Sequence, residues 1–346
     1  MRKPERPEVV AITGASAGVG RATAQEFARH GAHIGLIARG GNGMDGLEGA
    51  RREVEALGGK AIILPTDAAD AEQVEAAAAR LEDTFGPLDV WVNDAMVTVF
   101  APFTDLTPQE FKRVTEVTYL GQVYGTMAAL KRMKPRDHGH IVLVGSALAY
   151  RGIPLQSAYC GAKHGIQGMM DSVRAELIHD QSHVRVSMVQ MPALNTPQFG
   201  WCLNKMAHQS QPVPPIFQPE VAAQAIYYAA HHNRRELFVG LFTTIVITGN
   251  KLLPGFGDWY LGKTGYQSQQ YDGQPQPGRP NNLYEPVVGD HGAHGAFASK
   301  AHGRSWQLWL DTHANVVAFA GAGLAAAAVA SAVLGVALRG PWGARG

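Results

Sequence analysis

A glycine-rich turn between the first strand and the first helix constrains the fold of this chain more than any other stretch. Residues 9–13, VVAIT, are apolar and β-branched, and Gly14, Gly18 and Gly20 follow before a helical run that continues to His30. Short apolar runs of this kind are buried strands. Glycines at the turn let the backbone approach a phosphate closely, and the helix behind them presents unpaired N–H groups and a positive dipole end. At the head of a βαβ unit, this turn predicts an open parallel sheet that binds a dinucleotide at the carboxyl ends of its strands.

The following residues alternate accordingly. Strands are expected over 33–38, 61–64, 90–93, 141–144 and 184–190, with helices over 70–85 and 108–133. The second of these helices opens on Thr107-Pro108-Gln109-Glu110, a cap, a proline at the first position and a glutamate that reaches back. The predicted class is α/β, a Rossmann-type doubly wound parallel sheet with helices on both faces, plus a C-terminal hydrophobic helix. The expected organisation is a catalytic dinucleotide-binding domain over 1–250, an apolar extension and Pro/Gly/Gln/His-rich linker over 251–312, and a transmembrane helix over 313–339.

The second strand ends at Arg39, where an NAD-preferring fold would place an acid for the ribose 2′-hydroxyl, and no acid appears before Asp45. A guanidinium pairs with a 2′-phosphate, so NADP is the expected cofactor. Asp67, after the third strand, is placed to cap an adenine edge.

Ser146 lies at the carboxyl end of the apolar run 141–144, where such sheets bind ligands. Tyr159 and Lys163 are four apart and share one helix face. A phenol titrates near ~10, and an adjacent ammonium favours its anion, so the three residues describe a site that polarises a carbonyl and passes it a proton. Further on, prolines at 192 and 197 end regular structure and leave Thr196 over the cleft. Phe199, Trp201, Leu203 and Met206, closed off by Pro212, Pro214 and Pro215, predict a mobile lid with an apolar inner face and hence a lipophilic substrate.

Thr-Gly-x-x-x-Gly-x-Gly at 13–20, Asp67, Ser146, Tyr159-x-x-x-Lys163 and the 192–196 turn resemble the short-chain dehydrogenase/reductase family over roughly residues 8–240. The resemblance implies that Tyr159 is the acid/base, Ser146 orients the carbonyl, Lys163 binds the nicotinamide ribose, and Thr196 contacts the carboxamide or phosphates. It implies a cofactor site of Gly14, Ser16, Gly18, Val19, Gly20, Arg39, Asp67, Asn93, Tyr159, Lys163 and Thr196. Three positions depart from the family pattern. The usual Asn-Asn-Ala-Gly is Asn93-Asp94-Ala95-Met96, the Asn of the proton relay is Thr118, and the glycine of the late turn is Ala193. Thr118 keeps a hydroxyl and is retained as a catalytic candidate. The expected activity is NADP(H)-dependent interconversion of a lipophilic secondary alcohol and its ketone; the alternative is a non-catalytic, NADP-binding sensor or scaffold.

A net charge of +1 without a basic block argues against nucleic acid. Two cysteines, Cys160 and Cys202, fit a reducing compartment, and no signal peptide precedes the first strand. His291, His294 and His302 lack a second cluster, so no metal is expected. Residues 316–338 carry no charge over twenty-three positions, enough to cross a hydrocarbon core of ~30 Å, although ten are alanine. The expected partners are thus a lipophilic small molecule and a membrane, with a single-pass C-terminal anchor and the catalytic domain in the cytoplasm. Dimers or tetramers follow from family analogy.

Overall fold

A computed structural model of the chain describes residues 6–273 and 278–313. Seven strands form one parallel sheet: β1 Val9–Thr13, β2 His33–Ala38, β3 Lys60–Pro65, β4 Val90–Asn93, β5 His140–Val144, β6 Arg185–Gln190 and β7 Glu236–Phe238. Their order is β7-β6-β5-β4-β1-β2-β3. The register runs Val9↔His33 to Thr13↔Ile37 between β1 and β2, and Val10↔Val90 to Ile12↔Val92 between β1 and β4. The chain therefore leaves β1 toward one edge and returns beside it to build the other half. That reversal opens a crevice at the carboxyl ends of β1 and β4.

The strands read as unbroken apolar runs because both faces are covered. Val9 and Ala11 pack in a core with helices α3 (Ala71–Phe85), α5 (Gly121–Met133) and α6 (Ser157–His179), while the alternating Val10 and Ile12 are also fully buried. Helices α1 (Gly18–Arg29), α2 (Met44–Ala56) and α7 (Pro219–His231) pack together away from that core. The sequence expectation of one helix over 108–133 is met by α4 (Pro108–Thr115), opened by the Thr107/Glu110 capping box, and α5, joined through a π turn at Glu116–Leu120.

Beyond β7 two helices follow, α8 (Leu241–Leu252) and α9 (Pro254–Ser268). The stretch expected as a linker is instead tied down by long-range backbone bonds. Gln270–Tyr271 pairs with Gln209–Ser210, and Ala301–His302 extends a small sheet through Ile216–Phe217 to Ala193–Leu194. Between them residues 281–297 form a strap, whose Asn282 N–H donates to Trp201 O (3.0 Å) and Phe297 N–H to Asn195 Oδ1 (2.8 Å). Pro, Gly and Asn lack a period of their own, and here they supply a path for backbone bonding to partners far away in sequence.

A second compact unit begins at Trp306, and its described part is α10, Trp306–Thr312. The hydrophobic helix expected over 316–338 lies outside the described residues. Among the described residues, no helix is long and apolar enough to cross a membrane.

Candidate active site

The crevice begins at the glycine turn. Gly14 and Gly18 have φ of +74° and +58°, which only glycine adopts freely. Gly20 is needed for closeness: a Cβ there would stand 2.4 Å from Gly14 O. With Ser16, Val19 and Thr196, Gly14 and Gly18 line a cleft that continues to Arg39 and Asp67 at the carboxyl ends of β2 and β3. Gly18 and Val19 of the first turn of α1 line it, and the positive end of that helix's dipole is the arrangement that receives phosphate.

From Val19, Asp94, Met96 and Thr196, which line both spaces, the cleft opens into an apolar cavity of about 730 Å³ that holds Ser146, Tyr159 and Lys163. Ser146 follows β5 and is fixed through Gln190 of β6, whose Oε1 accepts the Ser146 N–H at 2.7 Å. Gln190 is itself held by Glu236 of β7 at 2.5 Å. The Ser146 hydroxyl accepts the Leu148 N–H at 3.1 Å and stands with the Tyr159 phenol in this cavity. Lys163 is 1% exposed; its Nζ donates to Val144 O at 2.6 Å and lies 5.5 Å from the Tyr159 ring centroid.

These electrostatics differ from the sequence expectation. Burial pushes the Tyr159 phenol far above its ordinary value, the Ser146 hydroxyl only partly opposes this, and Asp94 raises it further. Burial pushes Lys163 down, opposed by the Asp94 carboxylate. Desolvation outweighs the ammonium because Lys163 is engaged with Val144 and not with the phenolic oxygen. Tyr159 therefore stands as a neutral phenol carrying its proton.

The other expected residues divide. Asp67 lines the cleft with both oxygens engaged, one by Arg113 (2.6 Å) and one by the Ala69 N–H (3.0 Å). Arg39 lines it too, but its guanidinium donates to Tyr284 O (2.8 Å) and Asn282 O (2.6 Å) of the strap. Asn93 reaches neither space: it accepts from Trp91 Nε1 (2.8 Å) and donates to Thr126 Oγ1 (3.2 Å), clamping β4 to α5. Thr118 also lines neither. Its hydroxyl donates its one proton to Val97 O (2.9 Å) and accepts the Val97 N–H (3.1 Å), so the π turn commits it to the backbone of Val97. The segment expected as a lid is braced, since Leu203–Asn204 pairs with Val99–Phe100. Only Phe199 and residues 211–215 of it wall the large cavity, while Trp201 lines the cleft and packs edge-on to His291.

The sequence reading missed two features. The first is the strap, which crosses the cleft, donating no side chain that marks it in sequence: Gly292 O accepts the Gly18 N–H (3.1 Å), and Arg21 links Asp290 to Glu53 of α2. The second is Asp94, noted above only as a departure. Its carboxylate accepts the Gly20 N–H, and burial pushes it well above the usual carboxylate range against the pull of Lys163. A diphosphate bound at the same helix end would raise this group further, so binding takes up a proton and weakens as pH rises. Asp94→Asn is expected to bind the dinucleotide about 3- to 10-fold more tightly at pH ~8 and to flatten the pH dependence of Kd between about pH 5 and 8. An unchanged slope in a fluorescence titration would remove Asp94 from this role.

A family model described as short chain dehydrogenase matches residues 8–202. An uncharacterized oxidoreductase of Bacillus subtilis, YxnA, is 32% identical over 84% of this chain and 81% of its own length. The 3-dehydrosphinganine reductase of Danio rerio is 33% identical over 55% of this chain, which spans only 57% of that protein. A metagenomic short-chain oxidoreductase crystallised in complex with NADP superposes with a TM-score of 0.55 at 26% identity, covering 67% of this chain and 96% of that one.

Proposed function

The chain belongs to the short-chain dehydrogenase/reductase family and is an oxidoreductase of that family, and from this premise we propose that it interconverts a lipophilic secondary alcohol and its ketone with NADP(H). The observation that carries the reading is continuity: the glycine turn, the Ser146–Tyr159–Lys163 group and a large apolar cavity face one connected space.

The residues present fit a dinucleotide. Gly20 leaves a cradle that a single Cβ would fill, and the N-terminal end of α1 at Gly18 and Val19, which line the cleft, offers a positive dipole end to its diphosphate. Arg39, at the end of β2, is the group for a 2′-phosphate. When bound, the nicotinamide exchanges a hydride with the substrate carbon. The chain's own residues manage the oxygen. Ser146 Oγ hydrogen-bonds it and fixes its direction, and Tyr159 Oη gives up its proton to it in reduction and takes one back in oxidation. Lys163 holds a positive charge beside Tyr159 that stabilises the phenolate left behind. Burial keeps Tyr159 protonated, which suits the donor role in reduction. A cavity of about 730 Å³ walled by Leu148, Ile153, Leu194, Phe199, Val213 and Val246 suits a substrate with a large apolar body. In this reading 316–338 anchors the enzyme in a membrane with the catalytic unit on the cytoplasmic side, and copies associate as dimers or tetramers.

Titration with NADPH and with NADH tests the reading. NADPH is expected to bind at least about tenfold more tightly, with Arg39→Ala erasing the difference, a loss of ~1–2 kcal/mol. Equal affinities in the parent chain would overturn the cofactor assignment. Binding of neither would overturn the enzyme.

A further inference from the structure

Helices α8 and α9 carry large apolar side chains on their outer surface. Leu241, Ile245 and Leu252 on α8, and Phe256, Trp259 and Tyr260 on α9, recur at helical spacing and are all turned outward, with Leu252 73% and Trp259 61% exposed. The opposite sides of both helices wall the large cavity. Ile245, Phe256 and Tyr260 do both: they line the cavity and are 54%, 61% and 50% exposed, so they form its rim. The mouth of an apolar chamber is thus set in a patch of exposed apolar and aromatic side chains. Such a patch on a soluble surface marks an interaction site.

The chemistry of the patch chooses the partner. Tryptophan and tyrosine at the margin of an aliphatic face are the composition of a bilayer interface. The charged residues on the hairpin are Lys251, Lys263 and Asp258, and Asp258 is already paired with Arg151 at 2.5 Å. Two exposed lysines and a neutralised acid complement anionic headgroups. We propose that the α8–α9 hairpin seats on an anionic lipid leaflet and that the substrate passes from that leaflet through the Ile245/Phe256/Tyr260 rim to Tyr159. The entry route rests on the lipophilic-ketone reading above; the docking does not. It is independent of residues 316–338, because a tether holds the protein near a membrane without inserting this face.

Hydrogen exchange of the full chain, with and without vesicles of phosphatidylcholine and phosphatidylglycerol, tests the docking. Amides of 241–266 are expected to slow at least about fivefold on vesicles, and the Leu241→Ser/Leu252→Ser/Trp259→Ser variant is expected to lose that slowing while still binding NADPH. None of these three residues lines the cavity. With a long-chain alkyl ketone dissolved in the vesicles, the variant's kcat/KM is expected to fall at least about tenfold, and with the same ketone in detergent micelles to stay within about twofold. Unchanged exchange on vesicles overturns the docking. So does slowing that appears without lipid and scales with protein concentration, which would assign the face to a second copy. If no ketone is turned over in either form while the exchange slows, the lipophilic-ketone reading and the entry route fail and the docking stands.

Discussion

Tyr159→Phe is expected to lower ketone reduction about 10²- to 10⁴-fold while NADPH affinity stays within about threefold. The substitution removes one oxygen, the one that carries the proton in the cavity it shares with Ser146. The ring stays in the same packing, against the Val97, Val99 and Ala158 cluster. Lys163 keeps its bond to Val144 O, so the environment of the ribose is unaltered. Steady-state rates beside a fluorescence titration separate the two quantities. A variant that kept the parental rate would show that the proton comes from elsewhere; equal inactivity of parent and variant, with NADPH still bound, would favour a cofactor-binding scaffold.

The second large effect is expected at the glycine turn. Gly20→Ala should gain up to ~1 kcal/mol of helix propensity, because Gly20 lies within α1. The new Cβ, however, would stand 2.4 Å from Gly14 O and 2.7 Å from Gly14 C, both backbone atoms that no rotamer change can move. Overpacking of this kind costs ~1–3 kcal/mol, so the clash wins. Relief requires the turn itself to shift, and the turn is the proposed phosphate cradle. The expected outcome is a Tm lowered by about 2–10 °C and NADPH affinity lowered at least about 100-fold. Gly161→Ala is the control, since it lies on α6 with nothing within 4 Å of its Cβ position. A Gly20→Ala chain that bound NADPH like the parent would show that the dinucleotide does not use this cradle.

Much of the architecture was legible in order along the chain. The central strands of the sheet are short apolar runs buried on both faces, and two helices carry local start signals, the Asp70 cap and the Thr107/Glu110 box. Ser146, Tyr159 and Lys163 were legible because one strand end and one helix face suffice to gather them. Thr118 and Asn93, expected in the site, line neither space, because position in a motif does not say where a side chain points. Thr118 sits in a π turn, which rotates it onto Val97, and Asn93 points toward Thr126 of α5. Neither rotation has a signature in residue type.

The strap, the rim and Asp94 belong to the remainder. Arg39 meets Tyr284 across 245 positions and Arg21 meets Asp290 across 269, so no window of sequence contains both partners. Asp94 is an ordinary acid in sequence; its displaced titration comes from burial beside Lys163 of a different element. The α8–α9 hairpin read as apolar, but only the packing of its inner side on the cavity decided which residues face outward.

The sequence by itself therefore determined the doubly wound sheet, the glycine turn and the grouping of Ser146, Tyr159 and Lys163, because these depend on periods of two and 3.6 residues and on spacings inside single elements. The tertiary structure alone decided that residues 281–297 cross the cleft, that Thr118 is spent on the backbone, and that the cavity opens through an apolar rim. Those are outcomes of long-range closure and of desolvation, which residue order does not specify.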